Sequence, residues 1–354
     1  MQTYRIDEGG YTGFDLLNDA QRFQGAAAIA IEDDEAARLI KEHFPKLQAT
    51  ELKYRSLSRR EGNHPRLLGL MKDLLSSFPC VTYVCDKRFL LSLMFVDYAV
   101  EPFFYDLGGP DLYEDGQNYA MASLLHMAGP TLVGREPFDK MMEAFQLAMK
   151  EKSPQSMRDL VLAARATNWR ALRTVLGPLA EAVHPGILDA IATPGVSTDI
   201  ALVVLQSLIS RLEVMAPGPY RIEHDQSKNL STYHQLLQWF IDHDADVEFR
   251  ASPIASMKFP LKLTEVVQVD SKVSPAVQLA DVMIGAAIEA IGTMAGQRSG
   301  GLDPDALLPL YRDDQIISLG PSVDFEESKA FRRSSQMSEM IDYMTMNMPR
   351  TRKP

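Results

Sequence analysis

One long apolar segment limits what this chain can fold into. From Ala276 to Ile291 almost every residue is apolar, and the interruptions are Gln278, Asp281 and Glu289. A membrane span needs about eighteen or more largely uninterrupted apolar residues, and no such run is present. At helical spacing, Leu279, Val282, Met283, Ala286 and Ala290 form a core stripe, while Ala280, Ile284, Ala287 and Ile288 cover much of the remaining surface. The pattern therefore predicts a helix from Ser274 to about Met294 that is apolar all round and buried in a large core. An ionised Asp281 in those surroundings costs several kcal/mol unless something offsets it. Two readings of Asp281 stand: a partner for a lysine, an arginine or a loop, or a ligand for a cation.

The core around this helix must come from the rest of the chain, and two periodicities alternate there. Thr3 to Asp7 alternates polar and apolar residues, which predicts a strand ending in the turn Gly9-Gly10. Ala26 to Ile31 predicts a second strand, and Asp33-Asp34 open a helix through Phe44 with acidic residues at its positive end. Glu51 to Tyr54 alternates like a third strand. A helix follows over His64 to Leu75 with Pro65 early, then a strand over Cys80 to Cys85; Phe89 to Val96 fits either state. From about Asp97 through Met215 the period is helical almost throughout. Strands return at Pro219 to Glu223, Val247 to Arg250 and Glu265 to Val269, with a helix ending at Asp242 that Asn229 or Ser231 can cap.

Strands that give way to helices and then resume predict an α/β fold, a mixed sheet flanked by helices, with a large all-helical insertion. The expected division is a first core segment at 1–97, the insertion or lid at 98–215, a second core segment at 216–300 and a helical extension at 301–354. In that extension Met337, Met340 and Met344 recur at helical spacing, a stripe suited to core or homodimer packing. The 354 residues and 46 % apolar content are enough for such a core. Cys80 and Cys85 have neither disulfide nor zinc-knuckle spacing and read as reduced thiols, and the first ten residues lack an apolar signal core. Both point to a cytoplasmic protein without a membrane partner.

A formal net charge of −11 argues against avid, non-specific binding to a polyanion. Two local basic clusters run against it: Lys53, Arg55, Arg59, Arg60 and Arg66, and Arg350, Arg352 and Lys353 at the tail. The acids form a pattern of their own. Asp7 and Asp225 end strands, Glu51 shares a strand face with Lys53, and Asp281 is alone on the apolar helix. Each has an ordinary explanation as a turn, a cap or a surface ion pair. Together they are what a metal-dependent phosphodiester-cleaving site requires, because hard Mg²⁺ or Mn²⁺ ions take oxygen ligands. No phosphate-binding Gly-x-x-x-x-Gly-Lys-Ser/Thr loop, Gly-x-Ser-x-Gly elbow or His-Glu-x-x-His helix is present.

Ile-Asp-Glu-Gly-Gly at 6–10, Glu-Leu-Lys-Tyr at 51–54, Val-Asp-Ser-Lys at 269–272 and Gln-Leu-Ala-Asp-Val at 278–282 resemble the motifs of a bacterial domain family of unknown function, number 3800 (DUF3800). The resemblance covers most of the chain and implies a ribonuclease H-like fold with a divalent-metal site. Asp7, Glu51 and Asp281 match the family's acids, and Asp225 matches by its position at a strand end. Gly9 stands where the family usually carries serine, and Glu51 lies on an expected strand where classical ribonuclease H enzymes use a helix.

The resulting expectation is a metal-dependent nuclease or related phosphodiesterase. Asp7, Glu51, Asp225 and Asp281 would be ligands to Mg²⁺ or Mn²⁺, and Lys53, Lys272, Glu8 and Gln278 would contact the substrate. His224 beside Asp225 is a candidate proton shuttle. The expected partners are a nucleic acid, DNA or RNA, and a second copy of the chain as a homodimer. The rival is a non-catalytic binding or regulatory protein that keeps the fold, including one that serves in a defence system.

Overall fold

The computed structural model describes residues 1–113, 116–181, 185–193, 196–226, 234–251, 255–326, 343 and 347. The methionine stripe, the basic tail and the two candidate caps Asn229 and Ser231 lie outside them. The chain divides into two compact units, one comprising Met1–Tyr11, Phe23–Cys85 and Ala201–Ser318, the other Thr12–Arg22, Asp86–Ile200 and Leu319–Pro354.

The strands are β1 (Gln2–Gly9), β2 (Phe23–Ile29), β3 (Cys80–Asp86), β4 (Tyr220–Asp225), β5 (Val247–Ala251), β6 (Ser256–Phe259), β7 (Leu263–Val269) and β8 (Ile316–Leu319). Six of them form one mixed sheet in the order β7-β4-β1-β2-β3-β8, and β5 pairs with β6. At the centre, β1 runs antiparallel to β2, with Asp7 opposite Ala27. It runs parallel to β4, with Arg5 opposite Glu223 and Ile6 opposite His224.

Strand alternation then sorts the side chains. Tyr4, Ile6, Ile222 and His224 share one face and are all buried. Thr3, Arg5 and Asp7 share the other face with Arg221, Glu223 and Asp225. Across this polar face lies the long helix Pro275–Met294, packed on β1 and β2. Gly9 and Gly25 face each other there and make room for it. A Cβ on Gly9 would stand 2.9 Å from Ile288 Cδ1, and one on Gly25 2.9 Å from Ile284 Cδ1. Gly9 therefore continues the strand; the turn comes at Gly10, whose φ is +79°.

The long helix meets the composition and length of a membrane span, yet its residues are buried on nearly every side in a core shared with helices Asp33–His43, Tyr54–Ser58 and His64–Ser77. Ser274 caps its first turn, and Asp33 Oδ1 accepts from both Ser274 Oγ and Ala276 N at 2.9 and 3.0 Å. An acid from the start of one helix thus steadies the positive end of another.

The alternation at Glu51 to Tyr54 does not produce a strand. The residues run as coil into the short helix Tyr54–Ser58, because the amides of Leu52 and Tyr54 donate to side chains of the long helix instead of a neighbouring strand. Two strands escaped the sequence pattern, β6 and β8. Both are four residues long, too short to establish a period.

The second unit is helical. Its helices are Lys87–Ala99, Glu101–Asp106, Gln117–Leu132, Arg135–Glu151, Pro154–Ala166, Arg173–Glu181 and Pro185–Ala192. Phe89 to Val96, open between strand and helix by sequence, is helical and buried on nearly every side. Asp86 begins that helix by accepting from the amides of Arg88 and Phe89, and Arg22 neutralises it. The helical unit thus begins at Asp86, where the periodicity places it at 98. Helix Ala201–Met215 belongs to the sheet unit and packs on β2 and β6.

Candidate metal centre

The site begins where β1 and β4 part. Their pairing ends at Ile6 and His224, so Asp7 and Asp225, one residue further on the polar face, project from the end of the ladder. Asp7 Oδ1 accepts from the Glu8 amide at 2.8 Å. Asp225 stays paired to Val269 of β7, and its Oδ1 accepts from the amides of Gln226 and Ser271 at 2.9 and 3.1 Å.

The long helix brings the third acid and fastens the segment that carries the fourth. Gln278, Asp281, Gly285 and Glu289 recur at spacings of three and four, so they line one face of the helix. The Leu52 amide donates to Gln278 Oε1 at 2.8 Å, and Gln278 Nε2 donates to the Ser271 carbonyl at 2.6 Å. The Tyr54 amide donates to Asp281 Oδ2 at 2.8 Å. The Tyr54 ring lies against Gly285, where a Cβ would come within 2.5 Å of Cδ1, and its hydroxyl donates to Glu289 Oε1 at 2.6 Å. One helix face therefore holds residues 52 to 54 by two amides, a ring and a hydroxyl.

That hold sets Glu51 and Lys53 beside the other acids. Glu51 Oε1 pairs with Lys53 Nζ at 2.8 Å and accepts from Ser271 Oγ at 2.5 Å. Among the described residues, the second oxygen of each of the four carboxylates accepts no hydrogen bond.

The electrostatics are those of an excess of negative charge. Burial, and then the negative Asp281, push the Asp7 carboxyl up to about 8; Asp225 adds to this, while the Glu8 amide and the Lys53 ammonium oppose it. Burial also raises Asp281, reinforced by Glu51 and Asp225 and opposed by the Tyr54 amide and Lys53. Burial would raise Glu51 as well, but the hydrogen bonds from Lys53 and Ser271 outweigh it and hold that carboxyl low. Lys53 is pulled down by burial, then raised above its ordinary value by Glu51, Asp281 and Asp7. Three of the carboxylates, Asp7, Glu51 and Asp281, thus share one partly buried ammonium.

The donor chemistry fits a hard dication: the ligands would be oxygen only, and the anions are under-neutralised. The side chains are not gathered into a closed chelate, for among the described residues no group of three or more His, Cys, Asp or Glu stands ready to hold a metal ion. In this arrangement Lys53 supplies the cationic charge that a metal would otherwise bring.

Asp7, Glu51, Asp225 and Asp281 therefore come into one electrostatic neighbourhood, from four distant stretches of the chain. Lys53 joins them. Lys272 is exposed on the turn after β7, its amide bonded to Asp270, and its charge reaches Glu51. Gln278 is buried with both ends of its amide committed internally, which makes it a positioning residue. Glu8 points to the opposite sheet face by alternation and offers its backbone amide to Asp7. His224 is also on that opposite face. It is buried with Nδ1 2.7 Å from the Asp225 carbonyl, and burial lowers its pKa, so it stays neutral at pH 7. Sequence reasoning missed Ser271, Tyr54 and Glu289; the spacing 278, 281, 285, 289 on an otherwise apolar helix was the signal for the last two.

Comparison with protein-family models, curated proteins and solved structures finds no match to this chain.

Proposed function

We propose that this protein is a metal-dependent phosphodiester hydrolase, a nuclease of ribonuclease H-like fold, in which Asp7, Glu51, Asp225 and Asp281 hold Mg²⁺ or Mn²⁺. One observation carries the reading: acids from two parallel strand ends, a loop and a buried helix meet with too little positive charge between them. Burying uncompensated carboxylates is costly, and a dication removes that cost. The motif resemblance to DUF3800 supports the same reading. Two reduced, buried cysteines suit a cytoplasmic setting.

In this reading each acid has a stated task. Asp7 and Asp225 offer their unbonded oxygens from strand ends, on backbone that the sheet holds rigid. Asp281 offers its free oxygen from the helix while the Tyr54 amide fixes its rotamer. Glu51 is steadied by Ser271, and Lys53 can turn from Glu51 to a phosphate oxygen of the substrate. The bound dication would supply Lewis acidity toward a phosphoryl oxygen and acidify a water.

A second reading is a non-catalytic binding or regulatory protein on the same fold, of the kind found in a defence system. The bonds of Asp281 to Tyr54 and of Glu51 to Lys53 favour it, because they give both acids structural work. Labelled single- and double-stranded DNA and RNA, incubated with Mg²⁺ or Mn²⁺, separate the two. The nuclease reading expects cleavage that both chelation and Asp281→Asn abolish. No cleavage of any substrate, with a melting temperature indifferent to both metals, establishes the second reading instead.

A further inference from the structure

The run from Lys53 to Arg66 carries five cations against one acid, Glu61, in a chain of net charge −11. The structure shows what those cations do, and for most of them the answer is nothing internal. Arg55, Arg59, Arg60 and Arg66 are exposed. None of the four guanidinium groups makes a hydrogen bond or ion pair among the described residues. Two other surface arginines, by contrast, are paired: Arg38 bridges Glu35 and Glu42, and Arg173 pairs with Glu181.

The four also follow directly in sequence on Lys53 and Tyr54 of the acid site. Tyr54 is fixed to Asp281, so the helix Tyr54–Ser58 starts at the carboxylates. Arg55 and Arg59 are four apart and share its outer face, separated by about 6 Å along the axis. Arg60 leads into the next turn, and Arg66 lies in the first turn of helix His64–Ser77. Along each strand of a DNA duplex the phosphates rise about 3.4 Å per nucleotide, so this separation corresponds to about two nucleotides. Guanidinium is suited to grip them because its planar fork binds a phosphate bidentately.

We infer that Arg55, Arg59, Arg60 and Arg66 form a phosphate track that holds the strand of a polynucleotide running away from the carboxylate site. Naming a polynucleotide rests on the phosphodiesterase reading of that site. An anionic membrane is the weaker fit. Membrane-surface segments set large apolar side chains beside their basic ones, and no exposed large apolar residue lies between Lys53 and Arg66. The track also reconciles an acidic chain with a polyanionic substrate: it offers a local path of positive charge beside the acids.

The test uses the full chain, a fluorescein-labelled single-stranded oligonucleotide of thirty residues and chelator, so that binding is read without turnover. Wild type is compared with Arg55→Ala/Arg59→Ala/Arg60→Ala, with the corresponding triple lysine variant, and with Asp281→Asn. The track expects the alanine variant to bind at least tenfold more weakly. Its log-affinity against log-salt slope should be shallower by about 2, since each single-strand phosphate contact contributes about 0.7. The lysine variant should keep most of the slope, and Asp281→Asn should bind at least as well as wild type. Equal affinity and slope in wild type and the alanine variant overturn the inference, as does a wild type that does not bind at low salt. Loss of binding to phosphatidylserine vesicles with no loss on the oligonucleotide also overturns it, in favour of a membrane. Arginine-dependent binding without cleavage under Mg²⁺ or Mn²⁺ leaves the track standing and removes the nuclease reading; cleavage with no arginine dependence does the reverse.

Discussion

Two successive rungs on the polar face of the sheet make opposite use of buried charge. At the first, Arg5 on β1 faces Glu223 on β4. The Arg5 Nε donates to Glu223 at 2.9 Å, its other nitrogens reach the Ile31 carbonyl and Glu32, and Arg221 donates to Glu223 from the side. Charges there are matched and the polar groups satisfied, which is the condition for tolerating them in a core. Two residues further along the same strands, the corresponding positions are Asp7 and Asp225. No arginine answers them, a third acid descends from the helix, and Lys53 has already paired with Glu51. The sheet and solvent are the same; only the sum of charges differs. The first rung is complete as built; in the proposed reading a cation from outside completes the second.

The contrast can be broken at either rung. The largest effect is expected at the matched one. Arg5→Ala leaves Glu223 buried with a weaker partner and should destabilise the fold by about 3 kcal/mol, read as a lower urea midpoint with an unchanged slope. A loss under about 1 kcal/mol would mean that the pairing is incidental.

Next comes the helix face that holds the unmatched rung together. Gly285→Ala drives a methyl group into the Tyr54 ring and should cost about 1–3 kcal/mol. Because Tyr54 orients Asp281, metal-induced stabilisation should fall with it. A variant as stable as wild type would show that the ring moves aside freely.

The remaining effect, of opposite sign and growing with pH, belongs to Asp7. Its carboxyl is raised to about 8 in the fold against about 3.9 in an unfolded chain. A raised pKa gives stability that is complete below the unfolded value and is lost as pH climbs through the folded one. Asp7→Asn keeps the uncharged form at every pH. In chelator it should match wild type near pH 4 and become more stable as pH rises to 8, by a few degrees in Tm, with the gap constant above about pH 9. A variant less stable than wild type at pH 8 would mean that the Asp7 anion is already neutralised within the fold.

Much of this was legible before any coordinates. β1 and the long helix could be read because a sheet with one buried polar face alternates cleanly, and because a lone acid on an apolar helix demands an explanation. Glu51 to Tyr54 misled for a physical reason. Its alternation is real, since Leu52 and Tyr54 are buried and Glu51 and Lys53 less so. The partner it alternates against is a helix whose Gln278 and Asp281 stand in for the missing strand. The Arg5 network was out of reach because its members lie 26 to 218 residues apart in sequence. Ser271 was invisible too: nothing local distinguishes a turn serine that anchors Glu51 from one that faces water.

The central claim is tested most directly by titrating Mn²⁺ into the chelator-treated protein at pH 8 in a calorimeter, wild type beside Asp281→Asn. Saturable binding by wild type, with proton release as the raised carboxyls ionise and affinity at least tenfold lower in the variant, is the expected result. Heats indistinguishable from dilution in wild type, or equal affinity in the two proteins, would contradict it and leave Lys53 as the only cation the four acids require.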